Sequence, residues 1–383
     1  MQYRTMPKST DRISALSFGC MRFPTTAEGK IDEEQSFAML HHAFDNGVNY
    51  FDTAWPYHGG ESEPFLGRFL QQIDRSKVLV ATKLPCWLIK TREDMDVYLD
   101  KQLERLQTSY IDYYLLHALN RNTWDDLLKL GVIEFLEAAK RSAKIRHIGF
   151  SFHDTSHIFN KIVMAYEWDF CQIMLNYLDT HYQAGITGYK LAMSRGMGVI
   201  AMEPLRGGKL VSPIPDEVTT LWDKSKTTQS PQERAMRWVW NLEGCTTLLS
   251  GMSKIEQVKE NLSLANVCKA NSLDNKDINL YKRIRREYLK RIPILCSNCR
   301  YCLPCPAKVA IPSIFGIYNE AVMFADKERH AREYKFLVQE ESRADKCTKC
   351  GVCLSKCPHH IDIPAEMEKI AAYFTDVTHS DKG

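Results

Sequence analysis

Val48-Asn49-Tyr50-Phe51-Asp52-Thr53-Ala54-Trp55-Pro56-Tyr57 is the stretch whose reading decides the fold. A short apolar run ends in an acid, and a turn containing Pro56 then carries a phenol. An acid at the end of a strand and a tyrosine across a turn point into one cleft. That geometry needs a strand at Val48–Asp52, so its neighbours decide what kind of sheet it joins.

Working outward, apolar strand candidates alternate with amphipathic helices. The strands are Ile13–Gly19, Val48–Asp52, Val78–Lys83, Ile111–His117, Ile145–Ser151, Phe170–Leu175, Gly198–Glu203 and Cys245–Gly251. Between them, Glu33–Asn46 places Phe37, Leu40 and Phe44 at helical spacing and stops at Gly47. Thr91 with Asp94 reads as a capping box ahead of Leu99, Leu103 and Leu106. Glu61–Ile73, Trp124–Ser142, Thr155–Trp168, Tyr182–Gly196, Pro231–Leu242 and Lys254–Val267 supply the remaining helices. Eight strand–helix units in about 260 residues predict a (β/α)8 TIM barrel. A doubly wound sheet would need a Gly-rich fingerprint after an early strand, and none is present.

The totals agree. At 383 residues the chain exceeds one ordinary domain. Its 44% hydrophobic and 25% charged residues are those of a globular protein with a sizeable core. A net charge of +3 gives no general attraction to nucleic acid or membrane, and no apolar run approaches a membrane span. The first residues lack a signal-peptide core, so a cytoplasmic location is expected. Of the 13 cysteines, eight fall in two clusters after Leu295. That asymmetry divides the chain into a barrel over 1–270 and a small, mainly helical, cysteine-rich domain over 271–383. At the junction, the basic helix Leu280–Arg291 reads as a solvated face packed by Leu280, Ile284 and Leu289 rather than a docking patch.

On the barrel reading, Asp52, Lys83 and His117 end three consecutive strands at the face where barrel enzymes keep their chemistry, with Tyr57 on the first of the following loops. Each has a duller explanation alone, as turn cap, snorkelling lysine, core histidine or packing. Four at corresponding strand ends point to a site.

Phe51-Asp52-Thr53-Ala54 with Tyr57, Gly60-Glu61-Ser62-Glu63, Thr82-Lys83, Tyr110-Ile111-Asp112, Leu116-His117, Gly149-Phe150-Ser151, Pro204-Leu205-Arg206-Gly207-Gly208 and Gly251-Met252-Ser253 running to Glu260-Asn261 resemble, in this order, the aldo-keto reductase family. The resemblance spans residues 1–270. It implies NAD(P)H-dependent reduction of an aldehyde or ketone, or the reverse, and puts the family's catalytic tetrad on Asp52, Tyr57, Lys83 and His117. Tyr57 is then the general acid/base. Lys83 is expected to lower the phenol's pKa from about 10, with Asp52 keeping Lys83 charged. His117 is expected to donate a hydrogen bond to the substrate oxygen.

Hydride chemistry needs a nicotinamide, because no side chain donates hydride. Phosphates in barrels favour the loops after the seventh and eighth strands, here Glu203–Leu210 and Gly251–Lys254, with Ser253 a candidate helix cap. The resemblance places Ser151 and Gln172 on the carboxamide and Met202 at the nicotinamide face. Glu203, Pro204, Leu205 and Gly207 fall on the first phosphate loop, and Gly251, Met252, Ser253, Gln257, Glu260 and Asn261 at the adenosine end. Cys20 and Met21 join from the mouth of the barrel. The sequence departs from the family at Phe152, at Met202, and at Gly251 and Gln257, where many members carry Asn, an aromatic, and a Lys and Arg that clamp the 2′-phosphate. NADP(H) is expected, with NAD(H) the alternative.

The cysteine runs are Cys296-x2-Cys299-x2-Cys302-x2-Cys305-Pro306 and Cys347-x2-Cys350-x2-Cys353-x3-Cys357-Pro358. The second carries the bacterial ferredoxin spacing; the first is one residue short before its last cysteine. In the two-cluster arrangement each run's last cysteine serves the other cluster. That gives Cys296, Cys299, Cys302 and Cys357 to one 4Fe-4S cluster, and Cys347, Cys350, Cys353 and Cys305 to a second. Structural zinc is the competing reading, and the triple two-residue spacing closed by Cys-Pro favours iron.

Three functions follow: a reductase of small carbonyl substrates with attached clusters, a ferredoxin-type electron-transfer protein using its barrel as a docking scaffold, or a reductase whose clusters are structural or sensory. Clusters move single electrons and nicotinamide a hydride, and no flavin motif bridges them here. Any coupling would involve a ferredoxin or flavoprotein partner.

Overall fold

The computed structural model describes residues 1–375; the end of the expected second domain, 376–383, lies outside the described residues. Packing divides the chain into two compact units, Met1–Gly207 with Gln229–Asp274, and Gly208–Thr228 with the chain from Asn275 onward.

The first unit is a closed, all-parallel eight-stranded barrel preceded by a hairpin of β1 (Tyr3–Thr5) and β2 (Arg12–Ser14). The barrel strands are β3 (Leu16–Gly19), β4 (Tyr50–Asp52), β5 (Leu79–Leu84), β6 (Ile111–Leu119), β7 (Ile145–Phe152), β8 (Phe170–Met174), β9 (Gly198–Met202) and β10 (Cys245–Gly251), closed by β10 pairing with β3. All eight expected strands form. The run Ile13–Gly19 is divided, its first residues going to the hairpin and the rest to β3.

The connecting helices are α1 (Glu33–Asp45), α2 (Ser62–Leu70), α3 (Arg92–Arg105), α4 (Arg121–Lys129), α5 (Val132–Arg141), α6 (Ser156–Ala165) and α7 (Gly185–Ser194). Next come α8 (Asp216–Lys224), which belongs to the second unit, then α9 (Pro231–Trp240) and α10 (Ile255–Val267). Thr91 and Asp94 form the expected capping box on α3. The single helix expected over Trp124–Ser142 is instead α4 and α5, broken at Gly131, whose φ of +74° is left-handed and leaves the helical path.

Strand periodicity sets which side chains face the barrel interior. Tyr50, Ala81, Tyr113, Leu115, Phe170 and Ile200 form the inner cluster, while their strand neighbours Phe51, Val80, Tyr114, Leu116 and Cys171 pack outward against the helices. Two residues on from the inner positions, at the carboxyl ends of the strands, stand Asp52, Lys83, His117, Gln172 and Met202. At the opposite end, Met6 and Ile13 from the hairpin segment join the inner cluster and close the barrel.

The second unit holds α8, α11 (Asn275–Lys290), α12 (Ile311–Met323), α13 (Lys327–Leu337) and α14 (Ile363–Thr375). Its core gathers Ile314, Phe315, Tyr334, Met367 and Phe374, with most of the late cysteines packed partly against it. Lys209 reaches Glu320 at 2.5 Å and Glu333 at 3.1 Å, and Arg291 reaches Glu217 at 2.7 Å. The buried stripe of the basic α11 is Tyr281, Ile284 and Tyr288, so Ile284 packs as expected but tyrosines, not Leu280 and Leu289, flank it. Among the described residues no helix is long and apolar enough to cross a membrane.

Candidate functional site

β4 and β5 lie side by side with Asp52 opposite Ala81, which brings Lys83 past the end of β4. The Lys83 Nζ donates to Asp52 Oδ1 at 2.6 Å and to the Thr53 carbonyl at 2.7 Å. An ammonium has three protons, so one is left for the cleft. That nitrogen stands 5.1 Å from the centre of the Tyr57 ring. The Tyr57 ring meets the His117 ring edge-on at 6.0 Å, and the Trp87 indole lies 5.1 Å from the same imidazole. The four residues therefore converge on one space.

Local structure explains their aim. His58 and Gly59 adopt left-handed φ of 52° and 65°, turning the chain sharply just after Tyr57. His58 Nε2 accepts from the Phe23 N–H at 3.2 Å, pinning that turn to the loop after β3. His117 lies within an irregularity in the β6–β7 pairing, where Ala118 takes a φ of 52°. Bulges re-aim strand-end side chains in this way. Beneath Lys83, the buried Gln102 amide donates to the Lys83 carbonyl at 3.0 Å and to Glu63 Oε1 at 2.7 Å. Glu63 also receives Arg105 at 3.3 Å, and that guanidinium lies 3.4 Å from the centre of the Trp55 ring. These braces carry no chemistry and went unnoticed in the sequence, where Gln102 and Arg105 are ordinary helix residues.

Electrostatics assigns protonation states. Burial alone pulls the Lys83 ammonium's pKa down, but Asp52 and Tyr57 together raise it above the usual value, so Lys83 is charged. Burial raises the Asp52 carboxyl, with Lys83 opposing. Burial raises the Tyr57 phenol, and Lys83 lowers it by less. The net direction is upward, not the expected downward shift. The phenol is therefore kept protonated. Burial and the Lys83 charge push His117 down to about 2, so it is a neutral imidazole. Among the buried polar atoms, Asp52 Oδ2, one ring nitrogen of His117 (Nδ1) and Gln172 Oε1 have no hydrogen-bond partner.

Gln172 pairs in register with Ser151, so the two residues expected on a carboxamide are adjacent at the mouth. The Ser151 hydroxyl accepts from the Ala118 N–H at 2.8 Å, which leaves its proton to give. An orphaned, buried amide oxygen beside a hydroxyl donor fits a primary carboxamide. Met202 lies against Gln172, its sulfur 4.0 Å from the amide nitrogen. Cys20 is fully buried at the end of β3, while Met21 is 56% exposed.

The loop Glu203, Pro204, Leu205, Arg206 and Gly207 is braced by a feature absent from the sequence reading. Arg206 Nε donates to Asp179 at 2.7 Å, and Asn176 donates to the same carboxylate at 3.0 Å. Around α10, Ser253 does not cap the helix as expected. Lys254 is the N-cap residue and its side chain makes no capping bond. Ser253 instead gives its N–H to Gln257 at 2.9 Å. Met252 is buried. Asn261 is buried too, tied to Ser250 at 3.1 Å and to Gln232, whereas Glu260 is exposed.

In the second unit, two cavities are walled by thiols over an apolar floor. One is lined by Cys296, Cys299, Cys302 and Cys357, with Ile311 and Phe315 beneath. The other is lined by Cys302, Cys305, Cys347, Cys350 and Cys353 above Ile363 and Met367. Cys357 thus stands with the first run and Cys305 with the second. None of the cysteines is in a disulfide among the described residues.

Comparison with known proteins agrees with this architecture. The family model described as the aldo/keto reductase family matches residues 15–286, and a 4Fe-4S dicluster domain matches residues 295–361. The chain belongs to the aldo/keto reductase family and carries a C-terminal 4Fe-4S ferredoxin domain. L-galactose dehydrogenase of Arabidopsis thaliana is 27% identical over 305 residues, 73% of this chain and 92% of the relative. L-glyceraldehyde 3-phosphate reductase of Escherichia coli O157:H7 is 26% identical over 314 residues, 70% of this chain and 88% of the relative. Two solved structures share the fold. The holo form of an aldo-keto reductase from Bacillus halodurans has a TM-score of 0.64 at 24% identity, over 74% of this chain and 96% of its own. A Klebsiella pneumoniae aldo-keto reductase in complex with NADPH has a TM-score of 0.61 at 19% identity, over 74% and 95%.

Proposed function

We propose that this protein reduces an aldehyde or ketone to an alcohol, or catalyses the reverse, in the cytoplasm, with NADP(H) as hydride donor and two 4Fe-4S clusters in its C-terminal domain. The observation that carries the reading is the buried Asp52–Lys83 pair, whose ammonium faces a Tyr57 phenol that burial keeps protonated.

The dinucleotide, when bound, supplies hydride, its carboxamide held by Ser151 and Gln172. As charge develops on the substrate oxygen, Tyr57 Oη gives it a proton. The phenolate left behind is stabilised by the Lys83 ammonium, which Asp52 and the Thr53 carbonyl hold in place. Neutral His117 donates a hydrogen bond to the same oxygen, a contact that strengthens as the charge grows. The exposed Trp87, packed on His117, gives the pocket an apolar wall.

Two cubane sites in the second unit are supported by the sorting of the cysteines, with Cys296, Cys299, Cys302 and Cys357 holding one cluster and Cys305, Cys347, Cys350 and Cys353 the other. Bound there, the clusters supply one-electron transfer or sensing, in the former case with a ferredoxin or flavoprotein partner.

Tyr57→Phe tests the reductase reading. It should lower carbonyl reduction by at least about a hundredfold, the scale of general acid catalysis, with NADPH affinity unchanged by fluorescence titration. Wild-type turnover in that variant would sink the assignment.

A further inference from the structure

β10 and β3 are neighbours, with Gly251 opposite Gly19. Three residues past Gly19 the chain reaches Arg22, and its side chain turns back across the barrel seam. A Cβ placed on Gly251 would stand 3.0 Å from Arg22 Cδ, 3.2 Å from Cγ and 3.4 Å from Cβ. The methylene stem of Arg22 therefore packs closely over the Gly251 backbone, where a larger side chain would push it aside. The guanidinium beyond it is exposed, and among the described residues it has neither a hydrogen bond nor an acidic partner.

The stem crosses the segment that leads into α10, where the N-cap Lys254 makes no side-chain capping bond and Ser253 is exposed. Uncapped N–H groups at the start of a 13-residue helix carry partial positive charge and favour an oxyanion. In a barrel, the loop after the eighth strand is where phosphate groups are held. Gly251 has no side chain and Gln257 no charge, so neither supplies a cation. Arg22 does so from the loop after the neighbouring strand, and its five donors in a planar fork match a phosphate's oxygens.

We propose that Arg22 binds a phosphate of the dinucleotide, with its stem laid over Gly251. This rests on the cofactor reading given above. The ligand chemistry is a phosphate oxyanion, either the bridging pyrophosphate common to both dinucleotides or the 2′-phosphate particular to NADPH. The sign is the same in either case.

The test measures NADPH and NADH dissociation constants by quenching of tryptophan fluorescence in the full-length protein, for wild type, Arg22→Gln, Arg22→Lys and Gly251→Val. Arg22→Gln should weaken NADPH by about ten- to a hundredfold, the range for a charge-assisted hydrogen bond. Arg22→Lys should recover part of the loss. Gly251→Val should reproduce it by displacing the stem, and should add little in combination with Arg22→Gln. Equal loss for NADH assigns the pyrophosphate; unchanged NADH assigns the 2′-phosphate. If Arg22→Gln binds both dinucleotides within twofold of wild type, the proposal is overturned while the reductase reading stands. If the wild-type protein binds neither dinucleotide, the cofactor reading falls and this inference falls with it.

Discussion

The Asp52 carboxylate and the Lys83 ammonium meet at 2.6 Å with each side chain only 1% exposed. Water cannot compensate either charge if its partner is removed. Lys83→Met leaves Asp52 buried without its counter-ion and should cost about 3–5 kcal/mol of stability in denaturant unfolding. Adding Asp52→Asn should restore part of that stability without restoring activity. If the double variant is as unstable as the sum of the singles, the two groups are not coupled.

The protonation states set a pH dependence. On the proposed mechanism Tyr57 acts with its proton on, and its pKa lies above the ordinary phenol value because burial outweighs Lys83. Loss of the proton on raising pH removes the acid, so kcat/KM for reduction should fall only in the alkaline range. His117, pushed down to about 2, does not titrate near neutrality. The profile should accordingly be flat between about pH 5 and 8, where an ordinary histidine would show. An inflection there that disappears in His117→Ala would contradict the neutral-imidazole role.

The sorting of the cysteines makes a crossed prediction. Cys305→Ser should perturb the cluster held by Cys347, Cys350 and Cys353, and Cys357→Ser the one held by Cys296, Cys299 and Cys302. Wild-type protein purified without oxygen should hold about eight irons, and each variant should lose intensity from a different reduced-cluster EPR signal. If each substitution instead damages the cluster of its own run, the crossed assignment fails. A colourless zinc protein would end the cluster reading altogether.

Gly67 on α2 lies where a Cβ would be 2.4 Å from the Arg105 carbonyl of α3. The obstacle is backbone at a helix end and cannot swing aside. Gly67→Ala should destabilise the fold by about 1–3 kcal/mol, read as a lower unfolding midpoint. Because Arg105 also holds Glu63 and underlies Trp55, reductase activity should fall along with it. Wild-type stability in this variant would show that the two helices can separate freely.

The barrel was legible because strand and helix periodicities alternate without interruption from Leu16 to Val267, and Asp52, Lys83 and His117 share one strand parity. What the sequence hid was mostly backbone. The break at Gly131 looks like one more helical residue until its left-handed φ is seen. The hairpin of Tyr3–Thr5 and Arg12–Ser14 is too short for its alternation to register. Tyr57's net shift depends on how much burial opposes one nearby charge, and no spacing encodes that balance. Gln102, Arg105, Asp179 and Arg206 act only through contacts made in the fold, across 19 to 42 residues of chain.

The plug formed by Met6 and Ile13 at the far end of the barrel has a consequence for traffic. With that end sealed by side chains packed on Tyr50, Tyr113 and Phe170, the barrel opens only at the carboxyl ends of its strands. Whatever reaches Tyr57 must leave by the door it entered. On the proposed reading, dinucleotide and substrate share that one opening, so their binding and release should follow a fixed order.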